Sequence, residues 1–204
     1  FFYPMLPNFK DRFEMLSGHF EGHIISSTHD PARYDGAKFG NFVYHASPVC
    51  HGRITPWIIQ MIFIVRLGMR LHKQKKFDYV HSYDCQRNGV AGMLLKWFLS
   101  VPLIVEVNGC IYDEIFFVQR PFKKFLTKAI TQFVLRQADV IKVLNSLYKE
   151  KMKRWFPNKS IVVFPDFIPT HCFKNKNDES DGILFIGHPY YLKGVDVLIK
   201  AFLR

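Results

Sequence analysis

The chain has 204 residues, and its 28 lysines and arginines outnumber its 17 aspartates and glutamates, which gives a formal net charge of +11. Hydrophobic residues make up 49% of the sequence and aromatic residues 16%, while glycine and proline occur in ordinary numbers. This composition excludes collagen-like, low-complexity and disordered proteins. The length allows one full domain and part of another.

Short β-rich segments alternate with longer helical patterns, which indicates βα units around a mostly parallel sheet. Most of the predicted strands are continuous apolar runs, as expected for strands that are covered on both faces. The strands are predicted at Phe1–Tyr3, His23–Ser27, Phe42–His45, Tyr79–Ser82, Leu103–Val107, Val140–Leu144, Ile161–Phe164 and Ile183–Ile186. The helices are predicted at residues 9–16, 56–72, 87–99, 121–136, 146–155 and 194–203.

Two helices carry the clearest apolar patterns. The helix that begins at Pro121 is expected to pack against the core through one stripe with helical spacing. The run Pro56–Leu67 contains Arg66 and is shorter than the roughly 20 residues that span a bilayer, so it predicts a buried helix. The stripe of the first helix consists of Phe122, Phe125, Leu126, Ala129, Ile130, Phe133 and Val134.

A polar segment at residues 170–181 predicts a domain boundary. We expect an acceptor-side domain at residues 1–169, a linker at 170–181, and an incomplete second domain at 182–204. The sequence starts without methionine and opens on Phe1 as though within a strand, so we expect a truncated N-terminus. The cysteines form no CxxC pair and fit a reducing cytoplasm.

Most of the excess positive charge lies in residues 120–159, where Asp139 and Glu150 are the only acidic residues. A basic stretch of this kind is typical of a solvated face or of a protein that contacts an anionic membrane. Trp155 and Phe156 lie beside lysines and an arginine and suit an interfacial anchor. We therefore expect a cytoplasmic protein that binds the inner face of the membrane peripherally.

Polar residues and glycines directly follow the predicted strands, where ligands bind in open α/β sheets. The expected cleft residues are Asp84, Asn108, Gly109, Asn145 and Asp166. A strand, a loop and a helix follow at Gly182–Phe202, and the backbone N–H groups of this turn, together with an ammonium group, could hold a phosphate. The candidate anion-binding residues there are Gly187, His188, Lys193 and Gly194.

Several ordered segments resemble the retaining glycosyltransferases of family four, which have the GT-B fold. The segment IGHPYYLKGVDVLIKAF resembles the start of their donor-binding domain, and residues 77–109 resemble a strand, helix and strand of their acceptor domain. ADVIKVLNSLYKEKM and IVVFPDFIP resemble two later segments. The resemblance implies a Rossmann-like doubly wound parallel sheet (a GT-B N-terminal domain), plus the first strand, loop and helix of a second Rossmann-like domain.

The resemblance implies transfer of a sugar from a nucleoside diphosphate sugar to a glycan or lipid-linked acceptor, with retention and without a metal or other cofactor. In such a site Gly187 and Lys193 hold the donor diphosphate. His188 replaces an arginine that is frequent in the family, and Asn108 stands where many relatives have a histidine. The family's pair of donor-binding glutamates would lie beyond Arg204, so we do not expect this chain to be active alone.

The sequence leaves alternative functions open. A non-catalytic α/β module that binds an anion or nucleotide, or a degenerate transferase remnant, would fit the departures at Asn108 and His188. A nucleic-acid-binding domain is the weakest alternative, because no recognition module occurs and the aromatics of the basic stretch fall on the predicted core stripe. His19 and His23 are four residues apart, as in HExxH, but Glu21 stands one place too late and Gly22 leads into a strand, so we expect no zinc site.

Overall fold

The computed structural model describes residues 7–28, 30–47, 55–108, 121–166, 185 and 194–203, and the structural statements below concern these residues. The chain divides into two compact units, Phe1–Pro169 and Thr170–Arg204. The predicted strands Phe1–Tyr3 and Ile183–Ile186 lie outside the described residues. The domain limits drawn from the sequence remain a prediction.

Helices and strands alternate along the first unit, as the sequence pattern predicts. The second unit contributes the helix α7 (Val195–Phe202). The elements of the first unit are α1 (Pro7–Leu16), β1 (Gly22–Ser27), α2 (Pro31–Tyr34), β2 (Lys38–Phe39), β3 (Phe42–Ser47), α3 (Thr55–Gln74), β4 (Val80–Ser82), α4 (Arg87–Leu99), β5 (Leu103–Val107), α5 (Pro121–Gln137), β6 (Val140–Val143), α6 (Ser146–Trp155) and β7 (Ser160–Val163).

The described strands form two sheets. One has the order β4-β5-β6-β7 and is parallel throughout, with helices packed on it, which confirms the predicted α/β, Rossmann-like fold. The other has the order β1-β3-β2, in which β1 and β3 are parallel and β2 is antiparallel to β3. The sequence pattern does not predict α2 and β2, because elements of four and two residues are too short to show a periodicity.

The main core lies on one face of the parallel sheet. Strands β5 and β6 contribute Leu103, Val105 and Ile141, which are fully buried. Helices α4, α5 and α6 cover them with Met93, Leu135 and Met152, respectively. Helix α4 approaches so closely that a Cβ atom on Gly92 would lie 3.0 Å from a Leu103 methyl group, so a side chain there would press on Leu103.

The predicted core stripe of α5 is wrong for most of its members. Val134 is fully buried and Ile130 packs against the core, as predicted. In contrast, Phe122 and Phe125 are 78% and 71% exposed, and Leu126 and Phe133 are about half exposed. The helix packs on the sheet through a narrower face, and helical spacing alone cannot specify which face of a helix a neighbour covers.

Two further expectations need correction. Helix α3 buries Val65 and Leu71 but leaves Ile58 and Ile62 exposed, so the apolar run within it is only partly buried. Phe156 was expected to be an interfacial anchor, but it directly follows α6 and is buried in the main core. No helix among the described residues is long and apolar enough to cross a membrane.

Two histidines meet across the smaller sheet. His23 Nδ1 on β1 lies 3.0 Å from His45 Nε2 on β3. Burial lowers the pKa of both imidazoles, and the charge of Lys75 lowers the pKa of His23 further. The pKa of His45 is also lowered by His23 and Arg70, although Asp35 acts in the opposite direction. The folded protein therefore favours a neutral pair.

This pair predicts a loss of stability in mild acid. The pKa values of the folded pair lie below the ordinary value of 6.5, so the unfolded chain binds protons first as the pH falls through that value. The urea midpoint should decrease from pH 7 to pH 5, and the decrease should be smaller in the His23→Gln/His45→Gln variant. His19→Gln is the control and should keep the wild-type slope. Equal slopes in all three proteins would contradict the prediction.

Candidate active site

The carboxyl edge of the parallel sheet brings together polar residues that are distant in sequence. Tyr83 and Asp84 follow β4, Asn108 follows β5, Asn145 follows β6, and Asp166 lies three residues beyond β7. Because all four strands are parallel, these positions lie at one edge. Helices α4 and α6 begin at this edge and direct their N-terminal N–H groups towards it.

Asp84 organises the start of α4. Its Oδ1 accepts hydrogen bonds from the N–H groups of Gln86 at 2.7 Å and Asn88 at 3.1 Å, and its Oδ2 accepts one from Asn88 Nδ2. A Cβ atom on Gly89 would lie 2.9 Å from the Asp84 carbonyl oxygen, which shows how tightly this turn is packed. The Asp84 carboxylate is therefore occupied as a helix-capping group.

The two asparagines also fix local structure. The Asn108 side chain donates a hydrogen bond from Nδ2 to the Tyr83 carbonyl oxygen at 3.0 Å, which links the ends of β5 and β4. Asn145 caps α6, because its Oδ1 accepts a hydrogen bond from Tyr148 N–H at 3.0 Å. Both side chains are exposed. With its Nδ2 engaged, Asn108 presents its amide oxygen as an acceptor for a hydroxyl group.

Of the remaining predicted site residues, the structure describes two. Asp166 is exposed, and its charge acts on Tyr83. Gly194 adopts φ +73°, in the region that favours glycine, and begins α7 in the second unit. Gly109, Gly187, His188 and Lys193 lie outside the described residues.

A charged cluster that the sequence analysis did not include in the site lies beside these residues. Glu106 on β5 is fully buried and forms an ion pair with Lys142, its neighbour in register on β6. On its other side, Glu106 Oε2 lies 3.3 Å from His81 Nε2 and 4.0 Å from Arg12 Nη2. Strands β4, β5 and β6 and helix α1 thus each contribute one charged or titratable group.

The cluster keeps Glu106 ionised. Burial acts to raise the pKa of Glu106, but His81 and Lys142 outweigh it, so the pKa lies below its ordinary value. A carboxylate that is buried and already paired is a poor general base. With Arg12 and Lys142 around one carboxylate, the cluster carries an excess positive charge even when His81 is neutral. We therefore assign Glu106 to holding cations in place.

Tyr83 connects the cluster to the edge of the sheet. The guanidinium of Arg12 lies over its ring, 5.7 Å from the centroid. Burial and the charges of Glu106 and Asp166 raise the pKa of Tyr83 and exceed the opposite effect of Arg12, so the phenol stays neutral. A neutral phenol can donate a hydrogen bond to a ligand at this edge.

The sequence did contain a signal for this cluster. Glu106 and Lys142 each interrupt an otherwise apolar strand, LIVEV and VIKV. Charges in buried strands must be paired, so one acid and one base in such strands indicate a pair. The observed ion pair between Glu106 and Lys142 is of this kind. Among the described residues, no three metal-ligating side chains lie together.

A parallel sheet with polar groups and helix N-termini at its carboxyl edge defines a Rossmann-like ligand-binding domain. The sequence model of the glycosyl transferase 4-like domain matches residues 16–166, which contain all of the described site residues except Arg12 and Gly194. The chain belongs to this family. It is also 25% identical over 181 residues to an uncharacterized glycosyltransferase of Methanocaldococcus jannaschii. The match covers 89% of this chain and 48% of that relative, so the chain spans about half of its length.

The capping role of Asp84 predicts a stability effect. Asp84→Ala removes acceptors from two backbone N–H groups and should lower the free energy of unfolding by about 1–2 kcal/mol. Asp84→Asn keeps one acceptor oxygen and should lower the free energy of unfolding by a smaller amount. Urea unfolding of the three proteins measures this difference. Unchanged stability in Asp84→Ala would show that the carboxylate is not needed as a cap.

The Glu106–Lys142 pair predicts strong energetic coupling. Lys142→Met leaves a buried carboxylate without its ammonium partner and should lower the free energy of unfolding by about 3–5 kcal/mol. The double variant Glu106→Leu/Lys142→Met removes both charges and should be more stable than Lys142→Met alone. A double-mutant cycle from urea unfolding gives the coupling. Additive effects of the two substitutions would contradict the pairing.

Proposed function

We propose that this chain is the acceptor-side part of a retaining glycosyltransferase, which transfers a sugar from a nucleoside diphosphate sugar to a glycan or lipid-linked acceptor. The observation that carries the proposal is the polar carboxyl edge of the parallel sheet, within the residues that match the family model. The name of the archaeal relative supports glycosyl transfer as the general reaction.

The geometry suits the acceptor side of such a reaction. Asn108 is exposed and held by Tyr83, so its amide can position an acceptor hydroxyl but cannot remove its proton at neutral pH. Retention fits this property, since the leaving phosphate can take that proton. The excess positive charge held by Glu106 lies beside the same edge and favours anionic substrate groups.

The donor side of the proposal rests on the resemblance of Gly187, His188, Lys193 and Gly194 to the family's diphosphate-binding turn. As the diphosphate leaves, its negative charge increases, and Lys193 together with backbone N–H groups would stabilise it. The proposal requires no metal and no further cofactor. The nucleoside diphosphate sugar is a substrate.

The test uses the full-length protein with a panel of uridine, guanosine and adenosine diphosphate sugars. Release of nucleoside diphosphate should occur with one class of donor and should increase on addition of a glycan or lipid-linked acceptor. Lys193→Ala should lower kcat about 100-fold or more, because it removes a cation from the leaving group. Lys200→Ala, on the outside of α7, is the matched control and should leave kcat unchanged.

Two results would overturn parts of the proposal. Nucleotide binding without release from any donor would favour the non-catalytic binding module or transferase remnant. Product with an inverted anomeric configuration, read from proton coupling constants by NMR, would keep glycosyl transfer but exclude retention.

A further inference from the structure

The outward side of α5 is apolar, although nothing in the described fold covers it. Phe122 is 78% exposed, Phe125 is 71% exposed, and Leu126 and Phe133 are about half exposed. Helical spacing places these four side chains on the side opposite to Thr131 and Leu135, which are fully buried. Helix α5 is therefore apolar on two sides, and only one of them packs on the sheet.

This apolar side continues onto α4. Trp97, about half exposed, packs edge-to-face on Phe133, with 6.2 Å between the ring centroids. Phe98, the next residue, is 62% exposed. Exposed apolar side chains in this number on two adjacent helices mark an interaction surface. We call these six residues the aromatic strip: Trp97, Phe98, Phe122, Phe125, Leu126 and Phe133.

The charges around the aromatic strip indicate what binds it. Arg136 lies on the same side of α5 by helical spacing, and Lys153 and Arg154 are exposed on the next helix, α6. Asp139, in the turn after α5, is bound by Lys96, and Glu150 is the acidic residue that α6 carries among its basic residues. The whole chain carries a net charge of +11, so a second copy would bring like charge against like charge. The strip therefore complements an anionic partner.

We propose that the aromatic strip binds an anionic lipid bilayer. Aromatic rings and cationic side chains together favour the headgroup region of a bilayer, where rings enter the apolar boundary and cations remain at the anionic surface. The surface differs from the one expected from the sequence, since Phe156 is buried and cannot insert. The contact lies instead on α5 and the end of α4.

The position of the strip relates it to the candidate active site. Helix α5 ends at Gln137, three residues before β6 begins at the amino edge of the sheet, so its first turn lies towards the carboxyl edge. Phe122 and Phe125 are therefore on the same side of the domain as Asn108. A bilayer bound there would bring a lipid-linked acceptor close to that edge; this last point rests on the proposed function, whereas bilayer binding does not.

The experiment is co-sedimentation of the full-length protein with vesicles of phosphatidylcholine, with or without about 30% phosphatidylglycerol. The wild type should sediment only with the anionic vesicles. Phe122→Ser/Phe125→Ser should weaken this binding about tenfold or more. Met15→Ser/Phe20→Ser removes two exposed apolar side chains elsewhere and should bind like the wild type. Circular dichroism melting curves of both variants should match the wild type, since all four side chains are exposed.

A second pair of variants tests the charges. Lys153→Glu/Arg154→Glu should also weaken binding about tenfold or more, since each basic residue near an anionic surface contributes. Lys38→Glu/Lys73→Glu changes the net charge equally on other elements and should have a smaller effect. Equal losses in both variants would mean attraction by total charge alone and would overturn the proposal.

Other outcomes would also overturn it. Binding that is independent of phosphatidylglycerol, or absent with both kinds of vesicle, excludes the anionic bilayer. A concentration-dependent dimer in sedimentation equilibrium that Phe122→Ser/Phe125→Ser abolishes would identify a second copy as the occupant. Nucleoside diphosphate release with a water-soluble acceptor reports the proposed function separately. That activity should persist in Phe122→Ser/Phe125→Ser, so failure of bilayer binding and failure of glycosyl transfer can be distinguished.

Discussion

The buried ion pair between Glu106 and Lys142 is the constraint on which the rest of the site depends. Two charges inside a sheet are tolerated only when they face each other, because each would otherwise lose its hydration without compensation. The two residues are side by side in register on β5 and β6. A slip of one residue would send Lys142 to the opposite face, which is the apolar core. The pair thus disfavours any other register of these strands.

A fixed register determines what stands at the carboxyl edge. Asn108 follows Glu106 by two residues and Asn145 follows Lys142 by three, so pairing of the two strands also sets the distance between the two asparagines. Asn108 is tied to β4 through the Tyr83 carbonyl oxygen, and Asp84 then begins α4. Among the described residues of this edge, Asp84, Asn108 and Asn145 bind backbone groups, and the Asn108 amide oxygen and the cations around Glu106 could contact a ligand.

Much of this architecture could be predicted from the sequence, and the failures have physical causes. Continuous apolar strands and helices with clear start signals, such as the one at Pro121, were found with small errors at their ends. The sequence correctly placed Asp84 and Asn108 directly after their strands. It did not predict which groups these two side chains bind through hydrogen bonds. The partner of Asn108, like the Glu106 cluster, comes from an element distant in sequence, and a pattern along one segment does not specify which other segment lies beside it. The partners of Asp84 are only two and four residues away, but its side-chain geometry is not part of an apolar pattern.

In helix α5, an apolar pattern was visible in the sequence, but it did not specify what covers each side of the helix. Its apolar spacing predicts burial, and burial was assigned to the core because a folded domain offers no other apolar environment in water. The structure instead buries Thr131, Val134 and Leu135 and leaves Phe122 and Phe125 outside. A side with such large aromatic side chains is costly to keep in water, and the basic residues around it restrict which partners can cover it. The apolar spacing of α5 thus fits two contacts, one with the sheet, which is observed, and one with the anionic bilayer that we propose.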